Sequence, residues 1–247
     1  MFLRDVAPGI HLIQNHNVNC YLLEDERGLT LVDAGLPRVW NELGWAVREF
    51  GRAPHEIRAL VLTHAHFDHV GVAARLVERL GVPVFAHQRE RHLAAHPYSY
   101  AHESPTALYP LRHPRAIPVL VSMLAGGAAG VKGVTVTRSL AVGQTVPVPG
   151  SPRVVLTAGH TYGHCALHVP DADAVLSGDA LVTLDPYTGL TGPRVVAGAA
   201  TADAQMALAS LDAIAATRAT VVLPGHGDPW RLGAQRAAYQ ARANGVA

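Results

Sequence analysis

Long apolar runs are missing from this chain. The apolar segment 117–131 is broken by Pro118, Gly126, Gly127 and Gly130, and no stretch of about 18 apolar residues suggests a membrane-spanning helix. The N-terminus, MFLRDVAPGI, lacks a charged segment followed by an apolar one, so no secretory leader is expected and the chain reads as soluble and cytoplasmic, with no membrane partner. Cysteine is scarce. Cys20 and Cys165 are the two present, too few for a disulfide framework in such a setting, and both are expected as core thiols at strand positions. An excess of one charge is missing as well: 20 Lys and Arg face 19 Asp and Glu. That balance gives no basic stripe, so nucleic acid is not an expected partner. With 49% hydrophobic residues the chain is not disordered, and with no low-complexity linker its 247 residues are expected to form one domain.

What the chain does have is histidine, 15 residues against 4 phenylalanines. Imidazole is the commonest metal ligand among side chains, so the placement of these residues decides the reading. Strands are predicted at 9–13, 19–24 and 28–33, then a helix over 39–50 stopped by Gly51. A buried strand is predicted at 59–63, a helix over 70–80 and a strand at 83–86. From 87 to about 131 the pattern dissolves into His, Pro, Tyr and Ala, with pieces of helix at 90–95 and 118–124; this reads as a helical, lid-like insertion over the surface. Strands return at 153–157, 165–169, 174–177 and 219–223. Helices are predicted over 202–217, with Thr201 as its N-cap, and over 230–243. Strands followed by a helix in both halves predict an α/β fold of two sheets packed face to face with helices outside.

The chemistry-bearing signal is Thr63-His64-Ala65-His66-Phe67-Asp68-His69, between a predicted strand and a predicted helix. Two histidines at i and i+2 can reach one cation, and an Asp and a His just beyond can reach a second; carboxylate oxygen and imidazole nitrogen both suit zinc. Three further strand ends supply partners: Gly159-His160-Thr161-Tyr162-Gly163-His164, Ser177-Gly178-Asp179-Ala180 and Pro224-Gly225-His226-Gly227. Each sets a ligand type beside glycine, where the backbone turns tightly.

These motifs, in this order, resemble the metallo-β-lactamase superfamily of hydrolases. The resemblance runs from the meander ending in Val32-Asp33-Ala34-Gly35 to the Pro-Gly-His-Gly near the C-terminus. It implies a four-layer αββα sandwich of two mixed β-sheets with outer helices, and two divalent metal ions, zinc first, with iron or manganese compatible with the same ligands. His64, His66 and His160 are implied to hold the first ion, and Asp68, His69 and His226 the second, with Asp179 bridging. Asp33 is implied to lie beneath the site and orient a ligand, and His164 to play a structural or orienting part. By contrast His11, His16 and His55 are read as surface residues, His168 as strand, Asp228 as turn, and His87, His92, His96, His102 and His113 as solvent-facing residues of the insertion.

The implied reaction is attack by a metal-bridging hydroxide on a carbonyl, with Asp68 also touching the nucleophile or leaving group and Tyr98, Tyr100 or Tyr109 as candidate oxyanion donors. The zinc β-lactamases carry other residues where Asp179 stands, glyoxalase II-like thioesterases carry a long C-terminal helical extension, and RNA-processing members a large extra domain. What remains is a small-molecule substrate, a lactone or ester first and a thioester second, with an iron-dependent sulfur dioxygenase as the alternative chemistry. A monomer or a homodimer is expected.

Overall fold

The computed structural model describes residues 1–106 and 109–247. The first sheet is built from β1 (Phe2–Ala7), β2 (Ile10–Asn15), β3 (Val18–Asp25), β4 (Gly28–Val32), β5 (Ile57–Val61), β6 (Val84–His87) and β7 (Arg138–Leu140), lying side by side in chain order. Its first four strands form an antiparallel meander, with Leu12 opposite Tyr21 and Tyr21 opposite Val32. From β4 to β7 the strands run parallel, Val32 facing Val61. The second sheet combines β8 (Arg153–Leu156), β9 (Cys165–Val169) and β10 (Ala174–Gly178). A small antiparallel ribbon, β11 (Val182–Leu184) with β12 (Thr191–Arg194), precedes β13 (Val221–Pro224), which pairs parallel to β10 at the sheet's edge.

Side-chain alternation along the strands assigns the layers, because successive residues face opposite sides of a sheet. In β3, Val18, Cys20 and Leu22 join one apolar cluster while Tyr21 and Leu23 join another. The first cluster lies under α1 (Val39–Glu49) and α2 (Ala73–Leu80) and includes Leu43, Val47 and Leu76. The second fills the space between the sheets, where Leu12, Val32 and Val61 meet Val154, Leu167 and Leu176. The third packs Val175 and Val222 against α6 (Ala204–Ala216) and α7 (Ala234–Asn244) through Leu211, Ile214, Ala237 and Ala241. The result is the expected αββα sandwich. Between β6 and β7 lie α3 (Arg91–Ala95), α4 (Tyr109–Arg112) and α5 (Ile117–Ala125), inside the segment read as an insertion.

Several expectations need correcting. The helix predicted over 70–80 begins only at Ala73. Gly71 N donates to Gly35 O at 2.7 Å, and a Cβ on Gly71 would stand 2.2 Å from that oxygen, so this approach to the 33–36 loop preempts the first turn. Thr201 is not the cap of α6; its hydroxyl donates to Val196 O, and Asp203 accepts from Met206 N at 2.8 Å instead. The last helix begins at Ala234, because Trp230 is still paired with Val222. His11 is buried, not a surface residue: its Nδ1 accepts from Asp5 N at 3.0 Å and its ring packs on Phe50. His55 is exposed and His16 half-buried. Cys20 and Cys165 are buried, unpaired thiols in β3 and β9, as expected.

Candidate metal centre

Strands β4 and β5 run parallel in the first sheet, as do β8, β10 and β13 in the second, and their carboxyl ends meet along one edge of the sandwich. Asp33 follows β4, the 63–69 loop follows β5, the 157–164 loop follows β8, Asp179 follows β10, and His226 follows β13. The seven residues of the expected ligand set, drawn from separate loops and strand ends, converge there, each at most 5% exposed.

Asp33 fixes the first loop. It sits in the left-handed region at φ 58°, which aspartate tolerates better than most residues. Its carboxylate accepts from Thr63 N and Thr63 Oγ1, both at 2.8 Å, and from His69 Nδ1 at 3.0 Å. The Thr63 hydroxyl has thus spent its proton, so at 3.1 Å it accepts from His64 Nδ1. On the opposite side His226 Nδ1 donates to Asn17 O at 2.7 Å. One set of outer hydrogen bonds therefore fixes the tautomer of three rings, His64, His69 and His226, with Nε2 pointing inward. Those three Nε2 atoms, together with Asp179 Oδ1, are buried with no hydrogen-bond partner of acceptable direction among the described residues. Buried polar groups without partners are costly and rare, and four converging on one point fit a cation.

Distances sort the groups. His64, His66 and His160 bring one ring nitrogen each within 4.8 Å of one another, and Asp68, His69 and His226 likewise bring one ligand atom each. His66 Nδ1 and His160 Nε2 are 3.0 Å apart. Asp179 reaches both triads: its carboxylate oxygens lie 3.4 Å from His69 Nε2, 3.6 Å from His160 Nε2 and 3.2 Å from His226 Nε2. Asp68 Oδ2 is also 3.2 Å from His226 Nε2. The room for Asp179 depends on Gly225, where a Cβ would stand 2.0 Å from its Oδ1.

The electrostatics divide the same way. Burial, reinforced by the neighbouring imidazoles, drives His64 and His160 well below the ordinary histidine value; His66 falls to about 4, chiefly by burial and despite Asp68 and Asp179. These three rings are neutral at pH 7 and present lone pairs. Burial also opposes charge on His69 and His226, but Asp179, with Asp33 and Asp68 at His69 and with Asp68 at His226, outweighs it; His69 rises to about 9 and His226 well above its usual value. The carboxylates that would hold a proton on these rings are equally able to hold a divalent cation between them. Asp68 and Asp179 are themselves buried, which raises a carboxyl, yet the surrounding histidines bring both below the usual range.

His164 stays outside the ligand cluster. Its Nε2 accepts from Asp179 N at 3.0 Å, so Nδ1 carries the proton and donates to Thr157 Oγ1 at 2.8 Å. Burial lowers it to about 3, consistent with that neutral form. It orients Asp179. Asp228 is exposed and its carbonyl accepts from Thr183, a turn role. His92, His96 and His102 are exposed, while His87, His113 and His168 are half-buried.

Two side chains beside the centre were not anticipated. Glu90, just beyond β6, is buried; Oε1 accepts from Thr161 Oγ1 at 2.7 Å and Gly163 N at 2.9 Å, and Oε2 from Ala65 N at 2.9 Å. It ties the loop carrying His64 and His66 to the loop carrying His160. The signal available was positional: β6 is the next parallel strand, so its carboxyl end opens on the same edge. Tyr187 is buried with its hydroxyl 3.5 Å from that of Tyr100. Among the tyrosines named from sequence, Tyr100 lies against the centre, its ring 4.3 Å from that of His66. Tyr98 is committed elsewhere, donating to Ala128 O, and Tyr109 donates to the carbonyl of Ala247. A cavity of about 260 Å³ opens beside His160, lined by Leu93, Tyr100, Ala101, Thr161 and Tyr162. A larger concavity of about 440 Å³ near Gly9, Asp25 and Gly150 contains none of the converging histidines.

A two-sheet sandwich with buried His and Asp ligands gathered at its strand ends is the architecture of a metal-dependent hydrolase. The chain belongs to the metallo-beta-lactamase superfamily, whose family model matches residues 14–226. It is similar to the probable metallo-hydrolase YflN of Bacillus subtilis, 28% identical over 243 residues that cover 91% of this chain and 86% of the relative. Among solved structures it is similar to the metallo-beta-lactamase family protein TTHA1429 from Thermus thermophilus, with a TM-score of 0.68, 26% identity, and 96% of this chain and 79% of that one covered. It is also similar to TTHA1623, solved in a di-iron-bound form, with a TM-score of 0.59, 28% identity, and coverage of 90% and 93%.

Proposed function

We propose that this chain is a binuclear hydrolase of a small cytoplasmic carbonyl compound, a lactone or ester. In this reading residues 1–247 form one domain, with 87–131 lying over the centre as a lid. The observation that carries the reading is the convergence of seven buried ligand groups, six of whose atoms have no hydrogen-bond partner among the described residues. His64, His66 and His160 would hold one divalent ion, Asp68, His69 and His226 the other, and Asp179 both; zinc is the first choice for this nitrogen and oxygen set. Two such ions supply a water-derived nucleophile at neutral pH and Lewis acidity toward the carbonyl oxygen.

The chain's own groups do the rest. Asp68 reaches the middle of the centre and is ionised at neutral pH, so it is the acid–base group placed to take a proton from the nucleophile and return it to the departing alkoxide. Burial raises the Tyr100 phenol, keeping it protonated and able to donate to the oxygen that gains charge. The cavity beside His160 is mostly apolar-walled, which suits a compact acyl or lactone group rather than a polymer. Thioesters fit the same geometry as the next choice. The alternative of an iron-dependent sulfur dioxygenase draws on the di-iron-bound form of TTHA1623.

The test is a hydrolysis panel on zinc-loaded protein, with lactones, esters, thioesters, a chromogenic β-lactam and a phosphodiester, and Asp179→Ala as the blank. Lactone or ester turnover well above the blank supports the reading. Silence across the panel with metal bound, or thiol-dependent oxygen uptake by the iron-loaded protein, overturns it.

A further inference from the structure

The solvent-facing side of α5 is apolar, and exposed Arg112 and Arg115 precede it. In α5 the exposed positions are Ile117, Pro118, Val121, Leu124 and Ala125, which recur at the spacing of one helix face. Leu111, in α4, is a further exposed apolar residue of the same segment. Leu111, Ile117, Val121 and Leu124 are 82%, 45%, 58% and 62% exposed. The one hydroxyl of the helix is turned the other way, Ser122 Oγ lying 3.2 Å from His16 Nδ1. A helix on the surface of a monomer shows the reverse pattern, polar outward and apolar inward.

We infer that this stripe is covered by the same stripe of a second copy, the two α5 helices lying antiparallel about a two-fold axis at Val121. A two-fold interface must be self-complementary, each residue meeting its symmetry partner. With Val121 on the axis, Ile117 falls opposite Ala125 and Leu124 opposite Pro118, so every exposed side chain of α5 meets an apolar one. Charge selects the antiparallel sense. Arg115 precedes the helix, and no acidic residue stands between Glu103 and Asp171 to neutralise it within its own segment. Antiparallel pairing sets each Arg115 just beyond the C-terminal end of the partner's α5, the negative end of that helix's dipole. It also holds the two guanidinium groups about 18 Å apart along the axis at 1.5 Å per residue, whereas parallel pairing would set them side by side. The covered side chains supply the apolar centre that an interface of about 800 Å² per partner requires. Pairing also braces the metal centre, because Tyr98 bonds Ala128 O just beyond α5 and stacks on Phe67 in the metal-binding loop.

Sedimentation velocity of the metal-loaded protein over a concentration series tests this. A dimer is expected, weakened about a hundredfold or more in Val121→Asp and in Leu124→Asp, with each variant keeping the wild-type circular dichroism spectrum because these positions are exposed within the protomer. With Cys20 and Cys165 buried, Val121→Cys should form a disulfide-linked dimer under mild oxidation, and Leu124→Cys far less of one. A wild-type monomer throughout, or a dimer indifferent to Val121→Asp, overturns the inference. So does a monomer that sediments with anionic phospholipid vesicles and loses that binding in Val121→Asp, which would assign the stripe to a lipid surface.

Discussion

Replacing Glu90 with Gln should loosen metal binding without touching a metal ligand. The carboxylate holds three donors, Thr161 Oγ1 and Gly163 N on one oxygen and Ala65 N on the other. Glutamine has one acceptor oxygen. In its better orientation it keeps the first pair and aims its NH₂ at Ala65 N, leaving two donors face to face in a buried site. A buried donor left without its charged acceptor costs about 1–3 kcal/mol. Part of that is offset, because burial already raises the Glu90 carboxyl and so opposes its charge. The expected net loss is about 1–2 kcal/mol for Glu90→Gln, and about 4 kcal/mol for Glu90→Ala, which orphans all three donors. Because Ala65 lies between His64 and His66 and Gly163 shares a turn with His160, metal affinity should fall about 10- to 100-fold in Glu90→Gln, as for other groups that orient ligands. Denaturant unfolding of chelator-treated protein reads the first effect, and titration with zinc against a competing chelator reads the second. Glu90→Gln with wild-type unfolding and wild-type zinc affinity would refute the argument that this carboxylate couples the two loops.

Four further outcomes are expected. Asp33→Asn keeps an acceptor for Thr63 but sets an amide against His69 or Thr63, so occupancy of the second metal position should drop about 10- to 100-fold with the fold retained, read by metal analysis and circular dichroism. Asp68→Asn should preserve the fold and cut turnover at least about 100-fold; wild-type turnover would remove its acid–base role. The metal-free protein should be most stable near neutrality. His66, at about 4, and His164, at about 3, stay neutral when folded but protonate in the unfolded chain below pH 6.5, so stability present above 6.5 is lost as pH falls from there toward 3. His69, at about 9, contributes in the opposite sense, its stability fully present below pH 6.5 and lost as pH rises through 9; unfolding midpoints across this range, flat with pH, would contradict both. Removing the tip of the 96–115 segment should change substrate preference more than metal content, as measured on the hydrolysis panel.

The sequence made the centre readable because metal ligation imposes local spacing. His64, His66, Asp68 and His69 sit in one short loop, and His160, Asp179 and His226 each stand at a strand end beside or near glycine. Short apolar runs bounded by polar or turn residues likewise revealed most of the strands. What it hid depends on partners distant in the chain. Glu90 looks like a surface acid until the 63–69 and 159–164 loops close on it, and His226 takes its orientation from the carbonyl of Asn17, a backbone atom with no sequence signature. His11 looked like a surface residue because only the packing of β1 and Phe50 around it buries it. The cap of α6 moved from Thr201 to Asp203 because both residue types make caps and tertiary contacts chose between them.

The ligands are divided between the two sheets. His64, His66, Asp68 and His69 hang from the first, and His160, Asp179 and His226 from the second. In the proposed function, ions held there would act as rivets across the seam of the sandwich, since neither half alone keeps a complete set of donors. Separation of the sheets and release of metal would become one event. Every factor by which metal concentration exceeds its dissociation constant would then add to the free energy of unfolding, and the protein's lifetime against proteolysis would be governed by the metal supply of its surroundings as well as by its own packing.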